Sequence, residues 1–467
     1  MRFSFPLLTG LLLLIPTLLL AQKPPTPYES LLQRTDRPAT YVSHVTFPTG
    51  ESEGILASMF RFEYNFIPFL KTRSDMNPPR ESDEYYAPLQ LTFEVFEGHS
   101  SRGERAAEGA VSVFRDTWQD TVWAENYDET QSRFEYVQGV MDTELEGGNY
   151  HYLLQLAQAG SPTTRPSRSR NIEIVGSAGG EKAEFFLLES GNLNENTFSG
   201  RFMNYANNVL YGEDYALLIR IPESLQNSAE TFRLELKQLP AGADEESENG
   251  QVRFSVGIND SGLFHLNNFQ FDSNGESVTL HADLTSEGPL YALVPIPNKN
   301  FENALYRAEL GESDGDEVFG SQMIRSQWLD MPVSLYNLDV AIDMLRFIVS
   351  DSELERIDSG SDAEKERKFR EFWAQRDPTP DTEFNELMSE YYERIDYAYR
   401  EFSSMQEPGY ESDRGQAYIL YGPPTDVERK FPTNAPTRET WEYPNRTLIF
   451  EATSGFGDFR LVSESSS

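Results

Sequence analysis

Near the C-terminus the chain reads "EPGYESDRGQAYILYGPP", Glu407 to Pro424, and the fold of its last third turns on how this stretch is read. Gly409 and Gly415 bracket a short polar run, an apolar and aromatic segment follows from Gln416 to Tyr421, and Pro423-Pro424 stop it. The segment "QAYILY" reads as a strand. Three more short strands follow, "TWEY" (Thr440 to Tyr443), "TLIFEA" (Thr447 to Ala452) and "DFRLV" (Asp458 to Val462), joined by turns rich in proline and glycine. Upstream the pattern is helical. In "NLDVAIDMLRFIVS" the residues Leu338, Ala341, Ile342, Leu345 and Ile348 share one face, and Asn337 is placed to cap the first turn. "DAEKERKFREFWAQR" is a second helix with Phe369, Phe372 and Trp373 on one side, ended by Asp377-Pro378-Thr379-Pro380. A third runs from about Pro380 to Phe402 along Phe384, Leu387, Tyr391, Ile395, Ala398 and Phe402. The opening stretch is then a helix-to-sheet corner in an α+β unit, with helices over about 337–402 and a small antiparallel sheet over about 416–462. Its glycines permit unusual backbone angles, Asp413 can accept from backbone N–H groups and Arg414 can reach carboxylates. Asp413-Arg414 is therefore read as the brace that orients Gln416 to Tyr421, against the alternative of a catalytic or binding device.

The first two thirds carry period-two patterns. "FRFEYNF" alternates Phe60, Phe62, Tyr64 and Phe66 against Arg61, Glu63 and Asn65, and "LQLTFEV" does the same, which predicts strands with one buried face. Further strands over about Val111 to Trp118, Phe134 to Leu145, Asn149 to Ala157 and Asn171 to Val175 bring the total to roughly seven, the number of an immunoglobulin-like sandwich. A second β region follows, in which Asn274-Gly275 between two alternating runs predicts a hairpin with a two-residue turn. The expected architecture is thus a multidomain, mainly β chain: a leader over 1–21, a β-sandwich domain over 22–176, a second β-rich domain over 177–327 and the α+β domain over 328–467.

Composition and charge bound the function. The 467 residues carry 76 Asp and Glu against 39 Lys and Arg, a formal net charge of −37. Only eight of those basic residues are Lys. A carboxylate excess of this size destabilises a compact state by self-repulsion unless salt screens it, and at about 1 M salt the Debye length falls to about 3 Å. A high-salt setting is the simplest account; a surface for cationic partners or metal ions is the other. A nucleic acid partner is disfavoured, because phosphate binding needs a basic footprint. Arg2, the apolar run Phe3 to Leu20 and small Ala21 before polar Gln22 have the layout of a secretory signal peptide cleaved after about Ala21. No later stretch is long and apolar enough to span a bilayer. Cysteine is absent, so there is no disulfide, thiol nucleophile or lipoprotein anchor. The expected location is periplasmic or extracellular.

The run "FWAQRDPTPDTEFNELMSEYYERIDYAYREFS", followed by "GYESDRGQAYILYGPPTDVER", "ETWEYP" and "GFGDFRL", resembles the C-terminal domain of the GWxTD domain-containing proteins over about Trp328 to Val462. The Gly-Trp-x-Thr-Asp motif stands here as Gly409-Tyr410-Glu411-Ser412-Asp413, with Tyr for Trp and Ser for Thr. The resemblance implies an exported, envelope-associated bacterial protein and assigns no reaction.

Little in the chain suggests chemistry. No Gly-x-Ser-x-Gly or phosphate-loop motif occurs, and His44, His99, His151, His265 and His281 are scattered without zinc-ligand spacing. The acidic loops "PAGADEESENG" and "ESDGDE" lack a calcium-loop register, so no metal or other cofactor is expected. One enzymatic alternative remains, a glycan hydrolase using a carboxylate pair about 5 to 9.5 Å apart. Its candidates are Asp377, Asp413, Asp426 and Asp458, with Trp373 and Trp441 as neighbouring aromatics. The favoured reading is a non-catalytic envelope protein that contacts another protein or a surface glycan. Its motif residues are Gly409, Tyr410, Ser412, Asp413, Arg414 and Gly415.

Overall fold

A computed structural model describes residues 26–466 apart from 33–37, 101–109, 133–134, 159–163, 167–168, 178–179, 226–230, 241–242, 244–246, 248–249, 314, 405–406, 433–434 and 453–457. The stretch expected to be a leader, residues 1–21, and most of the loop between Pro240 and Gly250 lie outside the described residues. Strand β2 (Glu53–Glu63) sets the layering, because every residue after Glu53 is buried. Leu56, Phe60 and Phe62 face one way and Ile55 and Met59 the other, into two different hydrophobic clusters. The alternation that predicts one buried face misjudges Arg61. Its guanidinium is enclosed by the Tyr136 and Tyr205 rings, 3.3 and 4.1 Å from their centroids, so a formally polar face is covered by cation–π contact.

β2 is the middle of a three-stranded sheet with β1 (Thr40–Pro48) and β6 (Tyr136–Glu146). Its even face packs on a second sheet whose spine is β4 (Tyr85–Glu97). β4 pairs with β3 (Leu70–Lys71), β5 (Ser112–Ala124) and β7 (Gly148–Gln158), and β7 pairs with β8 (Thr164–Pro166) and β9 (Arg170–Ile174). A one-turn helix α2 (Tyr127–Thr130) follows β5. The two sheets make a sandwich around Leu89, Leu91, Phe93, Tyr152 and Leu154. The next unit contains a closed barrel, in the order β10 (Glu184–Leu193), β11 (Thr197–Phe202), β17 (Val278–Thr285), β16 (Leu263–Ser273), β18 (Leu290–Ile296) and β13 (Tyr215–Arg220). A five-stranded sheet packs against it, ordered β12 (Asn208–Leu210), β20 (Val318–Gln327), β19 (Leu305–Glu312), β14 (Phe232–Gln238) and β15 (Gln251–Ile258). Phe47 of β1 enters the barrel's cluster and stacks on Phe186 and Phe269 at 4.5 and 4.6 Å. The two β units therefore share a core. The hairpin forms at Asn274-Gly275, but its turn is Gly275-Glu276, closed between Asn274 and Ser277, and Gly275 alone has a positive φ there, of 85°. The Asn274 side chain accepts from the Glu276 and Ser277 amides instead of sitting in a left-handed conformation.

The C-terminal unit differs from expectation where the opening stretch decides it. Gln416 to Tyr421 is not a strand: Asp413–Tyr421 is helix α7, with Ser412 Oγ accepting from Gly415 N–H at 3.0 Å as its N-cap and Gly422 ending it at φ 76°. A Ser-Asp start and a Gly-Pro stop are helix punctuation, and the β-favouring "AYILY" between them yields to it. The corner joins helix to helix. The helices are α3 (Leu338–Met344), with Asn337 Oδ1 accepting from Val340 N–H, then α4 (Asp351–Ile357), α5 (Asp362–Ala374) and α6 (Glu386–Phe402). α6 starts six residues after Pro380 because Asn385 caps it, and its buried stripe runs through Ser389, Tyr391, Tyr392, Ile395 and Ala398, leaving Leu387 exposed. The sheet spans 426–466 rather than 416–462. It is β21 (Asp426–Lys430), β22 (Arg438–Tyr443), β23 (Arg446–Ala452) and β24 (Phe459–Ser466), an antiparallel meander. One short helix, α1 (Pro27–Leu32), belongs to this unit's core although its sequence position places it with the sandwich.

The β region meets the helices at Tyr211, Trp328 and Phe384, whose ring centroids are 5.4 to 5.6 Å apart. Gly212 lies under Phe384 with φ 85°, and a Cβ there would come within 2.6 Å of the ring. Gly212→Ala combines a left-handed backbone with a clash and is expected to cost about 2 kcal/mol in urea unfolding; an unchanged midpoint contradicts this packing.

Candidate functional site

The motif residues occupy the joint between α6, α7 and the sheet. Gly409 opens a 3-10 turn through Glu411. A Cβ on Gly409 would overlap the Ala398 carbonyl oxygen, and one on Gly415 would overlap that of Gly409. Neither glycine has a positive φ. Close backbone approach, rather than an unusual backbone angle, accounts for both. Ser412 Oγ also donates to Gly409 O at 2.7 Å, so one hydroxyl ties the turn to the helix. Asp413, in the first turn of α7 where the helix dipole favours an anion, accepts from Leu461 N–H at 2.7 Å and from Arg460 at 3.4 Å. Arg414 is buried: it donates to Glu439 at 3.0 Å, and its guanidinium lies 4.2 Å from the Phe459 ring centroid and 5.1 Å from that of Phe402. Arg429 reaches the other Glu439 oxygen at 2.8 Å.

Asp413, Arg414 and Trp441 are gathered around this joint, with Trp441 packed on Phe402 and Asp458 within electrostatic reach of Arg414. Trp373 and Asp377 are elsewhere, at the end of α5; Trp373 belongs to the helical core, and Asp377 Oδ1 accepts from Thr379 N–H at 2.9 Å. Asp426 is exposed at the start of β21. Of the four hydrolase candidates, Asp413 and Asp458 share the joint, and Asp377 and Asp426 lie elsewhere.

Tyr410, at the aromatic position of the motif, receives a partner that the sequence reading missed. Tyr28 of α1 is 1% exposed, and its ring lies 5.3 Å from that of Tyr410 and 5.0 Å from that of Tyr399. The Tyr28 hydroxyl donates to Asp396 Oδ1 at 2.7 Å, and Val333 N–H donates to Asp396 Oδ2 at 2.8 Å. Burial pushes the Asp396 carboxyl up to about 6, with these two donors pulling the other way. "PYESLL" is too short to show helical periodicity. An aspartate beside the apolar stripe of α6 was the available signal for a buried partner.

A second site lies between the β units, in a cavity of about 690 Å³. Three sheets and the barrel converge there: Ser43 to Thr46 of β1, Arg170, Ile172 and Glu173 of β9, Glu184 to Leu187 of the barrel strand β10, and Ser321-Gln322 of β20. His44 is half-buried behind the edge with Nδ1 3.2 Å from the Tyr152 hydroxyl, and desolvation plus the Arg170 charge lower its pKa to about 4. The wall between β11 and β12 contains two non-glycine residues in left-handed conformation, Asn204 at φ 47° and Ala206 at φ 55°. Such strain is a pointer to function. Asn204 is 4% exposed and donates to Phe60 O and Gln138, yet its Oδ1 lacks a hydrogen-bond partner among the described residues. Sequence periodicity carries no signal for this site, which exists only once three sheets and the barrel are placed together.

Residues 330–457 match the family model described as the GWxTD domain. No curated protein matches the chain. Among solved structures, the C-terminal domain of the Streptococcus pyogenes antigen I/II-family protein AspA is similar at 9% identity over 62% of this chain and 100% of that chain, with a TM-score of 0.16. Collagen adhesin (CNA) from S. aureus is similar at 8% identity over 62% and 93% of the two chains, with a TM-score of 0.14. Likeness at these TM-scores carries no argument about function.

Two predictions follow from the Tyr28 slot. Tyr28→Ala empties a buried aromatic position and is expected to cost about 3–5 kcal/mol in urea unfolding, whereas Tyr28→Phe keeps the ring and costs about 1–2; equal effects contradict the hydrogen bond. The folded value of Asp396 lies above the ordinary value of about 3.9, so the folded state retains a proton that the unfolded chain has lost. Its contribution to stability therefore falls as pH rises from about 4 through about 6. Asp396→Asn removes this titration. Its stability relative to wild type is expected to improve by up to about 3 kcal/mol between pH 4 and pH 7, and a difference that stays constant with pH contradicts the assignment.

Proposed function

We propose that this chain, a GWxTD domain-containing protein, is an exported, non-catalytic interaction module of the cell envelope. The β units present a polar cleft to a protein or glycan partner, and the GWxTD domain closes the molecule on its own N-terminal segment. The observation that carries this is what the motif's own side chains do, set against the open strand edges of the cleft. Ser412, Asp413 and Arg414 are spent on internal bonds, while the cleft is bordered by the unpaired edge of β1 and contains Asn204, whose buried Oδ1 has no hydrogen-bond partner among the described residues. Asp413-Arg414 is accordingly a brace, fastening α7 to β24 and β22. Export is supported by the leader-like first 21 residues, and no helix among the described residues is long and apolar enough to cross a membrane. The net charge of −37 supports adaptation to a salty exterior, where screening relieves self-repulsion.

Immobilised protein spanning residues 22–467 should capture an envelope component from a membrane and periplasmic extract. Gln322→Lys in the cleft should abolish capture at an unchanged melting temperature. Asp413→Ala should lower the melting temperature and leave capture intact below it. Hydrolysis of envelope glycan fragments by the wild type, lost with Asp413→Asn or Asp458→Asn, would instead establish the hydrolase alternative.

A further inference from the structure

We propose that the cleft binds an extended peptide carrying an acidic side chain, which adds as a strand to the open edge of β1 and sets its carboxylate against Arg170; this rests on the interaction reading above. Ser43, His44, Val45 and Thr46 are consecutive and all line the cavity. Consecutive residues of a strand point to opposite faces, so a wall made of four in a row is the strand's edge. β1 pairs with β2 alone, which leaves the outward N–H and C=O groups of that edge without strand partners among the described residues. Across the cavity, Glu184 to Phe186 of β10 pair with β13 on one side, and the β10–β11 pairing begins only at Leu188. A guest strand entering here meets backbone partners on both sides, as in recognition by strand addition.

The side chains narrow the guest's chemistry. Arg170 has no ion pair or hydrogen bond of its guanidinium among the described residues, in a chain with 76 acidic and 39 basic side chains. Of the acids that line the same cavity, Glu184 is tied to Arg220 at 2.6 Å and Glu173 is exposed. A carboxylate on the guest is the complement Arg170 lacks. Asn204 Oδ1, buried and without a partner among the described residues, calls for an N–H donor, which a peptide amide supplies. Met59, Phe186 and Phe202 also reach the cavity, so alternate guest side chains meet apolar surface. A saccharide offers hydroxyls to Asn204 but has neither the two-residue backbone repeat nor, when neutral, the negative charge.

The test uses the chain over residues 22–467 and a fluorescein-labelled peptide, acetyl-Thr-Val-Thr-Asp-Thr-Val-Thr-amide. Controls are the same peptide with Asn at the centre, one N-methylated at alternate amides, and chitohexaose. The Asp peptide should bind by fluorescence anisotropy and slow amide exchange over 43–46, and the N-methylated peptide should not bind. The Asn peptide should bind about tenfold more weakly, the loss of one charge-assisted contact. Arg170→Gln should erase that gap, and Arg170→Lys should restore part of it. Binding without protection of 43–46, or an unchanged gap in Arg170→Gln, overturns the proposal. Chitohexaose binding in place of the peptide overturns it while leaving the interaction reading intact. Failure of every probe, together with envelope capture that Gln322→Lys does not affect, overturns both.

Discussion

Burial of both faces of one strand is the constraint from which the rest follows. With Leu56, Phe60 and Phe62 in the sandwich core and Ile55 and Met59 in the barrel's cluster, β2 cannot leave either neighbour without exposing large apolar side chains. Full burial of a side chain of this kind is worth roughly 1.5–3 kcal/mol. The sheet of β1, β2 and β6 is thereby fixed between two layers, and Phe47 wedges the same join from the adjacent strand. Arg61 obeys the same constraint. Having no route to water, it is held between two tyrosine rings. Because the layers cannot slide, β1, β9, β10 and β20 meet at one place, and the cleft is the space they leave.

The C-terminal unit solves a different problem, joining the two ends of the chain. Tyr28 sits among Tyr399, Tyr410 and Asp396, so the segment Pro27–Leu32 becomes part of the last domain's core. This gives physical content to the substitutions in the motif. At position 410 an aromatic ring packs against Tyr28, which a tyrosine supplies as a tryptophan would. At 412 any hydroxyl residue can cap α7. The two glycines are fixed more tightly, since each lies against a carbonyl oxygen. On this reading the motif identifies the domain because it builds the joint.

Much of the architecture was legible in local pattern. Asn337 caps α3 as its position suggests, the meander from Arg438 onward falls near its expected limits, and the hairpin forms at Asn274-Gly275. The misreadings have separate physical causes. "QAYILY" has strand composition, but a serine cap and a glycine stop enclose it, and tertiary packing on α6 completes a helix. Arg61 looked like a solvent-facing residue because periodicity reports alternation without reporting what covers each face. Tyr28 and Asp396 are 368 residues apart and carry no mutual signal in one sequence. The cleft was the least legible of all, being lined by strands of three sheets and the barrel and by two left-handed residues whose conformation no composition rule demands.

The central claim, that a strand buried on both faces fixes the β units into one body around the cleft, is tested most directly by native-state amide hydrogen exchange across the β region. The account predicts that Leu56 to Phe60 of β2 and Leu217 to Ile219 of β13 open in a single cooperative event, with matching free energies and denaturant dependence. Exchange of the first sandwich at a distinctly lower free energy, with the barrel still closed, would contradict it.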